Sequence, residues 1–158
     1  MLQTAHISRI VSENQTDVVL QVFADRIIIL VTQLGKVGNL IQATIPSTTP
    51  LQPAPPPDTS GPNFDHHPLP LPPPSIELTP ILGQAPSPEM QSLYSLYASQ
   101  IATIVWLTES EGLLGVSHRG VIVGIALKKR SGGPGVRAED TETFRSVMDM
   151  VYEVVQQK

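Results

Sequence analysis

The sequence predicts an α+β fold of about six mainly antiparallel strands and two helices, in the order four strands, loop, helix, two strands, helix. Three observations predict it. Short β-branched runs joined by tight turns fill the first 45 residues. Two apolar stripes at helical spacing follow in the second half. Between them lies Pro46 to Pro74, where twelve of the chain's 16 prolines are gathered.

Ile7 to Val11 and Asp17 to Ala24 are strand-like runs separated by Ser12-Glu13-Asn14-Gln15-Thr16, a polar stretch suited to a turn. Asn14-Gln15-Thr16 also spells a glycosylation sequon, read here as part of that turn. A tight turn at Asp25-Arg26 leads into Ile27 to Gln33, β-branched and apolar on both sides, as a central strand covered on both faces would be. Leu34-Gly35-Lys36-Val37-Gly38 then turns the chain into a fourth strand, Asn39 to Ile45. Connections this short imply an antiparallel meander.

From Pro46 to Pro74 there is no apolar periodicity, and proline cannot donate to a ladder. A solvated, partly polyproline-II loop is expected. Ser87-Pro88-Glu89 opens a helix with a capping serine, a first-turn proline and an acid at the positive end. Met90, Leu93, Tyr94, Tyr97 and Ile101 form its apolar stripe. Near Ile101 the period shortens, and Ala102 to Leu107 reads as a strand. Val121 to Leu127 is the last strand, with Gly124 and Ala126 making one face small. Ser131 to Gly135 is a turn. The final helix starts near Asp140 or Thr141, with Phe144, Val147, Met148, Val151 and Val155 as its stripe. The organisation is therefore one domain in two parts, residues 1–45 and 76–158, around a disordered insert at 46–75.

Composition narrows the function. With no cysteine among 158 residues, disulfides, thiolate metal sites and cysteine nucleophiles are excluded. The amino terminus lacks a signal-peptide pattern, and the aliphatic run Ile27 to Val31 is far too short to span a bilayer. The expected location is the cytosol, extending to the nucleus, with no membrane partner. Net charge is −4, and no lysine or arginine occurs between Lys36 and Arg119. Nucleic-acid binding needs clustered cations, so it is set aside.

Chemistry is sparse. Gly35-Lys36 lacks the spacing and the following serine or threonine of a phosphate loop. Gly115-Val116-Ser117-His118 lacks the second glycine of a nucleophile elbow. Asp65-His66-His67 sits between prolines with nothing to fix ligand geometry, and His6 and His118 are isolated. No catalytic, cofactor-binding or metal-binding residue is assigned, and a non-catalytic protein is expected. Pro53-Ala54-Pro55-Pro56 and Pro70-Leu71-Pro72-Pro73 both fit PxxP, but no cation flanks them. Two helices cannot cover both faces of six strands, so either the sheet curls on itself or one face is buried by another chain, and a dimer is the expectation favoured here.

The stretch Phe23 to Leu40, above all Val31-Thr32-Gln33-Leu34-Gly35-Lys36-Val37-Gly38, resembles the proteasome assembly chaperone 3 family. Ile81-Leu82-Gly83-Gln84 resembles that family's second marker, and Val121 to Lys129 its last strand. The resemblance implies a chaperone that pairs with a subunit like proteasome assembly chaperone 4. It implies that the pair holds alpha-type subunits, chiefly the fifth, while the alpha ring of the 20S core assembles. No ATP would be needed. The proline insert departs from the family pattern. Contacts are expected from polar turn residues at the sheet ends: Gln33, Lys36, Lys128 and Lys129. A homodimer stays open beside the heterodimer. The alternative is a small dimeric adaptor that binds SH3 or WW domains through its proline tract.

Overall fold

The computed structural model describes residues 3–33, 35–46, 48–56, 67–85, 87–112, 119–128 and 138–157. It is an α+β fold with a six-stranded mixed sheet and two helices. The strands are β1 (Gln3–Val11), β2 (Asn14–Val22), β3 (Arg26–Thr32), β4 (Leu40–Thr44), β5 (Glu77–Leu82) and β6 (Gly120–Ala126). The helices are α1 (Pro88–Gly112) and α2 (Ala138–Gln156). Among the described residues, four of the five strand pairings are antiparallel, and only β3 with β6 is parallel.

The first hairpin is tighter than the polar run suggests. Ser12 and Glu13 alone make the turn, both with positive φ (49° and 68°), the twist a two-residue hairpin favours. Asn14 to Thr16 therefore belong to β2, correcting the expected five-residue turn. Thr16 is fully buried, accepts a hydrogen bond from Gln33 Nε2 at 3.1 Å, and donates to the Asn14 carbonyl.

The four-strand meander is corrected to three strands. Sheet order is β1-β2-β3-β6-β4-β5, so β6 is inserted between β3 and β4, which never pair. Strands β3 and β4 lie on either side of β6, so they do not form a hairpin. The chain order is also corrected, to five strands, α1, β6 and α2. The strand missed was β5, an edge strand that contains Pro80 and pairs only with β4.

The strand expected at Ala102 to Leu107 is instead the middle of α1. Residues 101–106 are all buried, and a helix covered on most sides is apolar all round, which hides its period. Thr103 and Thr108 return their hydroxyls to the carbonyls of Ser99 and Ile104 at 2.8 and 2.9 Å, so these β-branched polar residues are satisfied inside the helix. The capping expectation holds: Ser87 Oγ accepts from the Met90 amide at 3.2 Å.

Both helices share one face of the sheet, α2 against β1 and β2, and α1 against β4, β5 and β6. The core lies between, with Leu20, Ile29, Val123 and Ile41 from the sheet meeting Tyr97, Ile101, Ile104, Met148 and Val151. At one end, Trp106 Nε1 donates to the Arg119 carbonyl at 2.8 Å. Arg119 in turn pairs with Glu109 and donates to the Phe23 carbonyl at 2.7 Å. No helix among the described residues is long and apolar enough to cross a membrane.

The proline-rich segment is not free of contacts. Leu51, Leu69 and Ile76 pack against the core, Pro70 is buried, and Thr49 and Ser75 share a hydrogen bond at 3.1 Å. Within the segment expected as a solvated, partly polyproline-II loop, residues 67–70 lie against the helix layer.

Candidate protein-binding site

Strands β3 and β6 are parallel, so both end on the same side of the molecule. Gln33, just past β3, serves three roles there. Its amide donates to the Ala126 carbonyl at 2.8 Å, its side-chain oxygen accepts from the Lys128 amide at 3.0 Å, and its side-chain nitrogen reaches Thr16. The side chain thus extends the β3–β6 ladder beyond its last backbone pair. Lys36 sits in the exposed connection to β4, where its carbonyl accepts from Thr32 Oγ1 at 3.0 Å. Gln33, Lys36 and Lys128 are brought to one end of the sheet, and the Lys36 and Lys128 residues are exposed. Lys129 lies outside the described residues.

Asn39, which sequence reasoning passed over as an ordinary strand start, closes the other side of β6. It is buried, and its side-chain oxygen accepts from the Ile125 amide at 3.2 Å. Gly83, at the end of β5, joins the same end. With φ +68°, it lies so close that a Cβ would stand 1.9 Å from the Gly38 carbonyl oxygen. No other residue fits there without moving backbone. Described residues at the end of β3 and just past it, at the end of β5 and at the end of β6, far apart in sequence, therefore converge at one end of the sheet.

The sheet face opposite the helices begins at this end. Val19, Leu30 and Gly124 are aligned across β2, β3 and β6, Leu40 touches Gly124 from β4, and Leu82 continues the row on β5. Ile28 and Ile122 form a second row, flanked by Gln21 and Gln42. Ile122 and Ala126 are nearly buried yet stand outside the core cluster, because they face away from the helices. Val19, Ile28, Leu30 and Leu40 are half-buried, and Leu82 is 58% exposed. A Cβ on Gly124 would lie 2.7 Å from both Leu30 and Val37, so Val37 folds over the face at this point. The result is an apolar band with a polar rim that includes His6, Asp17, Gln21, Gln42 and Thr44.

Among the described residues no group of three or more histidines, aspartates or glutamates could hold a metal ion. His6 lies on the rim with Nε2 3.4 Å from Asp17, and His67 lies against Tyr152. Asp65, His66, Ser117 and His118 lie outside the described residues. At the opposite sheet end, the Asp25 carboxyl is held below the usual range by the hydrogen bond from the Arg26 guanidinium.

No protein-family model matches the chain, and no curated protein matches its sequence. Among solved structures, it is similar to a chain in the crystal structure of a novel chaperone complex for yeast 20S proteasome assembly. The TM-score is 0.47 at 9% sequence identity, over 94% of this chain and 98% of that one.

Proposed function

We propose that this protein is a non-catalytic assembly chaperone of the proteasome assembly chaperone 3 type, acting in the cytosol and nucleus. Its open sheet face docks a partner of like fold, a subunit similar to proteasome assembly chaperone 4. The sheet end carrying Gln33, Lys36 and Lys128, with Lys129 next in sequence as a further contact residue, contacts alpha-type subunits of the 20S core, chiefly the fifth. The observation that carries this reading is convergence. Described residues from each of the three stretches that resemble the family, Gln33, Gly38, Gly83 and Lys128 among them, meet at one end of the sheet, next to the apolar band. A like-folded partner suits that band because sheet-on-sheet packing needs a wide apolar face with alternating small and large side chains. Gly124 and Ala126 beside Leu30 and Ile122 supply that relief. Exposed lysines rimming an apolar contact serve orientation and partner choice more than affinity.

The test is capture. The immobilised protein is offered free alpha-type subunits and finished 20S particles, without nucleotide. Capture of the free subunits alone is the expected result, since a chaperone must read a surface that assembly later hides. Lys36→Glu and Lys128→Glu/Lys129→Glu are each expected to remain folded and to lose capture. If both keep full capture, the lysines are not the contact; equal binding to finished particles would contradict the chaperone role itself.

A further inference from the structure

The proline-rich segment is held by two donors from different helices. Tyr152 Oη, on α2, donates to the Pro68 carbonyl at 3.1 Å. Gln100 Nε2, on α1, donates to the Pro70 carbonyl at 2.8 Å, and Gln100 is only 5% exposed. Proline has no N–H, so at each proline the carbonyl is the only backbone group that can be gripped. In a polyproline-II helix, carbonyls two residues apart are about 6 Å apart along the axis, and none is used internally. A tyrosine hydroxyl and a buried amide aimed at alternate carbonyls, beside an aromatic ring, are the chemistry by which such helices are recognised.

Side chains complete the grip. Leu69 packs against the core between the two bonded prolines, and Pro70 is buried. The His67 ring lies against Tyr152, with centroids 4.9 Å apart, and its backbone N–H donates to Asp149 Oδ1 at 2.8 Å. Asp149 and Tyr152 are one helical turn apart on α2. The segment carries no lysine or arginine, and the donors that hold it are uncharged.

We propose that the groove between α1 and α2 is a polyproline-II recognition site that this chain fills with its own residues 67–73. The ligand class is an uncharged X-Pro-Leu-Pro peptide, where X has a free N–H for Asp149 and a flat ring for Tyr152. Intramolecular docking separates the two PxxP sequences. Pro53 and Pro56 are exposed and available to an outside reader. Pro70, the first proline of Pro70-Leu71-Pro72-Pro73, is buried and withheld. Only release of the segment from Tyr152 and Gln100 would present the second sequence. This proposal stands apart from the chaperone reading and survives its failure.

The test vacates the groove and refills it. In the full chain, Leu69→Asp/Pro70→Gly leaves the helices' donors intact while removing the segment's hold. A fluorescent acetylated peptide of residues 66–75 is then added. Binding to that variant is expected, with none to the unaltered protein and none when Gln100→Leu and Tyr152→Phe are added. A folded, vacated variant that ignores the peptide, or binding that survives loss of both donors, overturns the proposal. Should the vacated variant not fold, thiol labelling decides, because the chain has no cysteine of its own. Leu69→Cys is expected to label about tenfold more slowly than the exposed Leu71→Cys, reacting only through local opening. It should speed up when Gln100→Leu and Tyr152→Phe are introduced. Equal rates at the two positions overturn the proposal.

Discussion

The covered and open faces of the sheet are carried by the same strands, one residue out of step, yet they are built differently. On the covered face, Leu20, Ile29, Val31, Val123 and Ile125 are large, branched and fully enclosed by two helices. On the open face the corresponding rows alternate large with small, Leu30 beside Gly124 and Thr32 beside Ala126, and end in amides and hydroxyls. The first face is bound by its own chain to a fixed partner. The second keeps an apolar centre with a polar rim, the composition of a surface that another protein covers. What the difference teaches is that the face covered by the chain's own helices is filled for volume, whereas the open face carries relief and a wettable edge.

Substitutions can break this contrast. The largest effect is expected from Val123→Asp, which places an unpaired charge at the centre of the covered face. Cooperative unfolding in urea should be lost. Ile29→Ala on the same face should cost ~2–5 kcal/mol, by lost burial and the cavity left behind. Gly83→Ala comes next. It forces an unfavourable φ and drives a methyl group into the Gly38 carbonyl, so a loss of ~1–3 kcal/mol is expected, with local exchange of the 35–39 amides accelerated. Smaller still is the alkaline effect of Tyr97. Burial, then the nearby Asp140 charge, pushes its phenol well above the ordinary value of 10.0. The unfolded chain therefore loses this proton first, so the contribution is whole below that pH and falls away as pH rises above it. Urea midpoints from about pH 9 to about pH 11 should fall less for Tyr97→Phe than for the unaltered protein.

Much of the covered face was legible in the sequence, because its signals are local. The stripe Tyr94, Tyr97, Ile101 and the stripe Val147, Met148, Val151 point inward as their spacing implies. The β-branched run at Ile27 to Val31 is central, as expected. What was not legible depends on distant pairing. Nothing within β6 says that it inserts between β3 and β4. The second half of α1 reads as a strand because it is enclosed on nearly every side. Strand β5 is an edge strand, exposed at most positions and interrupted by Pro80, so it lacks the alternation that would announce it.

The same holds for the candidate site. Gln33, Lys36 and Lys128 were readable as turn residues, but their meeting at one sheet end follows only from the parallel β3–β6 pair. Asn39 carried no signal beyond being a polar residue before a strand. The docking of residues 67–73 was hidden because its partners, Gln100 and Tyr152, lie 30 and 84 residues away from the prolines they hold. Proline content describes how a segment cannot pair. It does not describe what grips its carbonyls from outside.

The central claim is that the open face is a docking surface, and sedimentation tests it most directly. The unaltered protein and Ile28→Glu are compared by analytical ultracentrifugation at micromolar concentration. Ile28 is half-buried in the second open-face row, so the substitution should cost the monomer about 1 kcal/mol or less. The expected result is association of the unaltered protein, a one-to-one complex when the chaperone-4-like subunit is present, and a folded monomer for Ile28→Glu in both cases. An unaltered protein that sediments as a stable monomer, and a complex with that subunit that Ile28→Glu leaves intact, would contradict the account.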